Sequence, residues 1–175
     1  MSMIKKIAVC FACTLLAVLL AAIYGALHDQ ITYSIAIEYF TVFKFDQFGF
    51  SDLGMQSPRL TTAWIGILAT WWMGLILGAF LSILGLIHSD YKTMFRFVMR
   101  SIYITFIVTI LSGVLGYVVG WFDTETYKSC CFPYNIQDPI NFTLVGSIHS
   151  YGYAGAPIGA VLGILYQIIM KKKNV

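Results

Sequence analysis

The stretch "TAWIGILATWWMGLILGAFLSILGLI", residues 62–87, contains no charged side chain. A helix needs roughly 20 mostly apolar residues to cross the hydrocarbon of a bilayer. This run exceeds that length, so the span is predicted to tilt or protrude. Helix is the state expected, because an isolated strand in hydrocarbon would leave its backbone N–H and C=O groups unpaired. Working outward, three further runs meet the same requirement: "KIAVCFACTLLAVLLAAIYGAL" (6–27), "SIYITFIVTILSGVLGYVVGW" (101–121) and "GSIHSYGYAGAPIGAVLGILYQIIM" (146–170).

Composition agrees with that reading. Apolar residues make up 59% of the chain, charged residues 11%, and mean hydropathy is +0.79, whereas soluble domains are about 25% charged. The expectation is an all-α, polytopic membrane four-helix bundle in a single domain, residues 1–175, with the lipid bilayer as its first partner. The net charge of +3 is small, and no basic patch with interleaved aromatics lies outside the membrane flanks. Nucleic acid is therefore not an expected partner. Lys5 and Lys6 before an apolar run resemble a secretory n-region. The run is long, however, and no clean A-x-A site precedes His28, so the first span is expected to be retained.

Basic residues set the expected orientation. With both termini cytoplasmic, Lys5, Lys6, Lys92, Arg96, Arg100, Lys171, Lys172 and Lys173 lie inside, against Lys44, Arg59 and Lys128 outside. That asymmetry fits the positive-inside rule, and Trp64 and Trp121 fall at the outer boundary favoured by amphipathic rings. The acids run the other way, with only Asp90 inside. A bacterial cytoplasmic membrane is the expected location.

The connections are then an inner loop at 88–100 and outer loops at 28–61 and 122–145. Ile31, Tyr33, Ile35, Ile37 and Tyr39 alternate with Thr32, Ser34, Ala36 and Glu38, a period of two that suggests an extended, half-buried segment. From Glu38 onward "EYFTVFKFDQF" reads equally well as a short helix on the membrane surface. The outer loops together are expected to form an ordered extracytoplasmic cap.

Lipid tails are as apolar as leucine, so helices in a bilayer associate through close packing and polar contacts. Small residues recur along one ridge of each span: Cys13, Ala17, Ala21 and Gly25; Gly66, Thr70, Gly74, Gly78 and Ser82; Ser101, Thr105, Thr109 and Gly113; Gly155, Gly159 and Gly163. Four-residue spacing keeps side chains on one helical ridge. These ridges predict a tight bundle and offer a surface for a homo-oligomer or another membrane protein. One further step past Gly25 reaches Asp29. On the fourth span His149, Tyr153, Ala156, Ala160, Gly163 and Gln167 form a second small and polar face, and Pro157 is expected to kink the helix.

His28, Asp29, Glu38 and His149 thus converge on the outer side. An imidazole and a carboxylate in an interfacial pocket bind a divalent metal, relay protons or do acid–base work. The plainer reading is that they end their helices and hydrogen-bond the outer loop. No ligand motif such as H-x-x-x-H is present, no catalytic residue is assigned, and no cofactor is expected, with a divalent metal as the alternative. His88 reads as a solvated residue of the inner loop. Cys10 and Cys13, a C-x-x-C inside hydrocarbon, read as small core residues. Cys130 and Cys131 are adjacent and outside, suited to intermolecular pairing or to remaining free thiols. Trp71 and Trp72 point roughly 100° apart on a helix, one expected inside and one toward lipid.

At "YGALHDQITYSIAIEYFTVFKF" and "WIGILATWWMGLILG" the chain resembles an uncharacterised family of bacterial four-span integral membrane proteins. In that pattern "HDQ" or "QDM" ends the first helix, "EYF" follows about nine residues later, and "ATWW-x-G" marks the second helix. The matching positions are Asp29, Glu38, Tyr39, Phe40, Trp71, Trp72 and Gly74. Some members carry proline where this chain has Ile37. The resemblance implies a bacterial inner-membrane location and draws attention to Asp29 and Glu38, but implies no reaction. The functional expectation is a multi-pass membrane protein serving a structural or interaction role. The alternatives are a small transporter or proton pathway, and a membrane enzyme or metal site at the outer face.

Overall fold

A computed structural model describes residues 2–51, 56–122 and 136–173. The architecture is an all-α four-helix bundle, with no strand among the described residues. In chain order it comprises α1 (Ser2–Ile35), a π-helical turn (Tyr39–Lys44), α2 (Phe45–Gln47), α3 (Pro58–Leu84), a 3-10 turn (Gly85–Ile87), α4 (Tyr91–Phe122) and α5 (Pro139–Lys173). Four of these helices, α1, α3, α4 and α5, are long and apolar enough to cross a membrane.

The first helix runs well past its predicted end. Residues 28–35 are helical, not extended. The buried positions there are Asp29, Thr32, Tyr33 and Ala36, a three-and-four spacing that continues the α1 ridge. The hydroxyls that raise strand propensity are absorbed locally: Thr32 Oγ1 donates to the His28 carbonyl at 3.1 Å, and Ser34 Oγ to that of Gln30 at 3.0 Å. The segment after Glu38 takes the helical alternative, but its rings are not laid on an outer surface. Phe40 and Phe45 are fully buried and Tyr39 nearly so, packed with Tyr33, Ile65 and Val145. This aromatic cluster plugs one end of the bundle.

Both loops around α4 are also shorter than predicted. The inner connection shrinks to residues 88–90, because Asp90 caps α4, its Oδ1 accepting the N–H of Lys92 at 2.9 Å and of Thr93 at 3.1 Å. A carboxylate there satisfies otherwise free amides of the first turn. Asp138 does the same for α5, accepting the Asn141 N–H at 3.0 Å, with Pro139 at the first helical position as its fixed φ favours.

The bundle is a pair of pairs. α1 packs closely on α3 and α4 on α5, while the two pairs meet far less closely. Glycines govern both close interfaces. A Cβ on Gly66 would stand 2.5 Å from the Gly25 carbonyl carbon, and one on Gly25 would strike the Gly66 carbonyl. Gly74 and Gly78 lie against Ala17, Gly159 against Thr105, Gly155 against Ser112, and Gly163 against Ser101. Gly113 differs: its nearest neighbour atoms would be 3.9 Å from an added Cβ. Gly116 and Gly120 make the close approach to α5 instead, against Ser147 and Leu144. Hydroxyls add cross-helix bonds, Thr70 to the Ala21 carbonyl at 2.8 Å and Ser101 to that of Gly163 at 2.9 Å.

One further expectation is corrected. Trp71 and Trp72 are 42% and 41% exposed, so neither sits in the core; the opposite face of α3, with Gly66, Thr70 and Gly74, is the one that meets α1. Cys13 is buried and Cys10 Sγ reaches the Ser82 carbonyl at 3.3 Å, as small core residues would. Helix α5 continues through Pro157 without interruption. Cys130 and Cys131 lie outside the described residues.

Candidate functional site

Because α1 continues to Ile35, Asp29 is not a helix end. It is an acid on the buried ridge, 5% exposed, four residues beyond the Gly25 crossing. His28 precedes it on the flank facing α5. From α5, His149 enters the same space and is 8% exposed. His28 Nδ1 is 3.1 Å from Asp29 Oδ1, and His149 Nε2 is 3.6 Å from that same oxygen. The imidazoles meet edge to face with centroids 4.7 Å apart. One ligand-capable atom from each of His28, Asp29 and His149 lies within 4.8 Å of the other two.

Aromatic rings fix this arrangement. Tyr39, from the π-helical turn, stacks on His149 at 5.0 Å with an interplanar angle of 11°. Tyr24, one helical turn before His28, holds that ring at 5.3 Å. Yet polar capacity is left over: the Nε2 atoms of both His28 and His149 are buried without a hydrogen-bond partner. A buried nitrogen left unpaired is unfavourable by about 1–3 kcal/mol.

Below the cluster, a cavity of about 120 Å³ runs between the two helix pairs. Its mouth is formed by His28, Asp29, His149 and Lys44, and its walls by apolar side chains including Leu20, Met73, Leu77, Ile102 and Phe106. Lys44 comes from the π-helical turn. Its ammonium lies over the rings of Tyr39, Phe43 and Phe48 and donates to Gln47 Oε1 at 2.9 Å. Burial pulls the Lys44 pKa down, partly opposed by the Asp29 carboxylate. Burial pushes the Tyr39 phenol up, with Asp29 and Tyr153 adding to it.

Of the four residues singled out from sequence, three come together and one does not. Glu38 turns to α5, its carboxylate accepting the Gln137 N–H at 3.0 and 3.1 Å and the Asp138 N–H at 2.8 Å. It ties the aromatic cap to the start of that helix. Sequence reasoning missed Tyr24, Tyr39 and Lys44 as neighbours of the site. For Tyr24 the signal was present, since it stands four residues before His28 on one helix face.

The opposite end of the bundle corrects the reading of His88. It is 2% exposed, packed on Phe97 with centroids 4.8 Å apart, and its carbonyl accepts Lys6 Nζ at 2.6 Å. The ring turns inward from the connection, whose next two residues, Ser89 and Asp90, are exposed. Burial depresses its pKa, and the Gln167 side chain acts in the other direction. Gln167 is itself fully buried and donates to the Leu81 carbonyl at 3.0 Å.

Comparison of the chain with protein-family models, with curated proteins and with solved structures returned no match.

Proposed function

We propose that this chain is a multi-pass protein of the bacterial cytoplasmic membrane, with both termini in the cytoplasm, that holds a divalent transition metal between His28, Asp29 and His149. The orientation rests on the basic residues, which gather at the end of the bundle that carries both termini. The metal reading is carried by one observation: one ligand atom from each of His28, Asp29 and His149 lies within 4.8 Å of the other two, beside a buried His149 Nε2 that has no hydrogen-bond partner. Two imidazoles and one carboxylate supply three donor atoms to a dication. Such a donor set suits zinc or ferrous iron and leaves coordination positions open. Metal–ligand bonds of about 2.0–2.2 Å require the donor atoms to close on the ion. Glu38 has no part in the binding set, and the site sits at the extracytoplasmic mouth of the cavity. A structural or interaction role alone would explain the glycine ridges but not the convergence of His28, Asp29 and His149.

The test is elemental analysis of protein purified in detergent and dialysed against zinc or cobalt. Near-stoichiometric metal is expected in the wild type and in Glu38→Gln, with loss in His149→Ala and Asp29→Asn. Equal metal content in all four would overturn the assignment. A C-terminal fluorescent-protein fusion that fails to fluoresce would overturn the orientation.

A further inference from the structure

The cavity below the cluster has its own shape and polarity, and these say what the open coordination positions face. On α1 it is lined from Asp29 back to Ala17, a rise of about 18 Å along the helix. Through that depth the walls come from all four long helices, and apart from a few hydroxyls they are apolar. Charge is confined to the mouth. There Lys44 and Asp29 both line the space, and the imidazoles of His28 and His149 complete it. With a dication seated, the mouth carries a net positive charge that a single carboxylate does not cancel.

From this polarity, and resting on the metal assignment above, we infer that the site binds a single-chain amphiphile. Its anionic oxygen head, carboxylate or phosphate, completes the metal's coordination sphere beside Lys44, and its hydrocarbon chain lies in the cavity between the helix pairs. The split construction of the bundle supports this occupant. Close glycine contacts seal α1 to α3 and α4 to α5, so the looser seam between pairs is where a chain fits without prising a tight interface apart. Oxygen donors suit the open positions of a two-histidine, one-carboxylate ion, and a charge-assisted contact from Lys44 adds selectivity for an anion. A cationic head of the same chain length meets like charge and is refused.

The test uses the full chain in zwitterionic nanodiscs, zinc-loaded or zinc-free, with cis-parinaric acid, a fluorescent long-chain fatty acid, as the probe. Saturable binding is expected in the zinc-loaded protein only, displaced by dodecyl phosphate but not by dodecyltrimethylammonium. Leu77→Trp fills the cavity away from the metal. It should weaken probe binding about tenfold, the loss expected when burial of roughly two methylenes is displaced, while keeping its zinc. Retained zinc also shows that the variant has folded, and Leu77→Phe serves as a milder form. Stoichiometric zinc with no saturable probe binding, or with equal binding in Leu77→Trp and the wild type, overturns the amphiphile and leaves the metal standing. Absence of zinc from the wild type overturns both. Displacement by dodecyltrimethylammonium as readily as by dodecyl phosphate would overturn the anionic head.

Discussion

Gly66→Ala and Gly113→Ala add the same methyl group to helices of the same bundle, and they should move stability in opposite directions. An added Cβ at Gly66 falls 2.5 Å from the Gly25 carbonyl carbon and 2.9 Å from the Ala26 nitrogen. Both are backbone atoms that no rotamer change can remove. Ordinary contact requires the α1–α3 axes to part by about 1 Å, and a gap of about 0.5–1 Å forfeits a quarter to a half of each dispersion contact along the ridge. Overpacking of this kind typically destabilises by about 1–3 kcal/mol, and more when the obstacle is backbone. The intrinsic helix preference for alanine returns about 1 kcal/mol, leaving a net loss of about 1–2 kcal/mol. At Gly113 the nearest atoms stand 3.9 Å away, so only the helix term acts and stability should rise by up to about 1 kcal/mol. Steric trapping in bicelles reads the unfolding free energy of both variants directly. Equal stabilities, or a Gly66→Ala protein as stable as the wild type, would refute the pair-of-pairs packing.

Other consequences follow from the caps and the buried histidine. Glu38→Gln weakens the contact between the aromatic cap and α5 and should destabilise the fold by about 1 kcal/mol, since charge-assisted bonds exceed neutral ones; thermal unfolding reads this, with metal content unchanged. The bonds from Thr93, Lys92 and Ser89 hold the Asp90 carboxyl at about 2, against 3.8 for the free group. Its cap is therefore intact above the unfolded value and lost as pH falls toward 2, visible as loss of hydrogen-exchange protection in the first turn of α4. His88 has a folded pKa below its ordinary 6.5, so the unfolded chain takes up the proton first. Stability should be full above that value and decline as pH falls through the folded pKa, and His88→Gln should flatten the decline measured between neutral and mildly acidic pH.

The four long apolar helices and their small-residue ridges were legible because a helix able to cross a bilayer needs length and apolarity throughout. Asp29 was legible as a buried residue from the same arithmetic, one step past Gly25. The extent of α1 was not. Isoleucine and tyrosine alternating through residues 31–39 mimic a strand, and only the packing of Thr32, Tyr33 and Ala36 against α3 and the cap makes helix the better state. Misplacing that end also misplaced Glu38, which the longer helix carries over to α5. His88 reads as solvated because Ser89 and Asp90 follow it; its burial comes from packing on Phe97, nine residues on. The cluster itself has no sequence signature, since His28 and Asp29 meet His149 only through the seam between two separately sealed helix pairs.

X-ray absorption at the zinc edge of the loaded protein addresses the buried cluster most directly. The expected shell is two imidazole nitrogens and oxygen at about 2.0–2.2 Å, with the imidazole scattering reduced to a single ring in His149→Ala if any zinc remains. A shell of oxygen alone, or one containing sulfur, would contradict it.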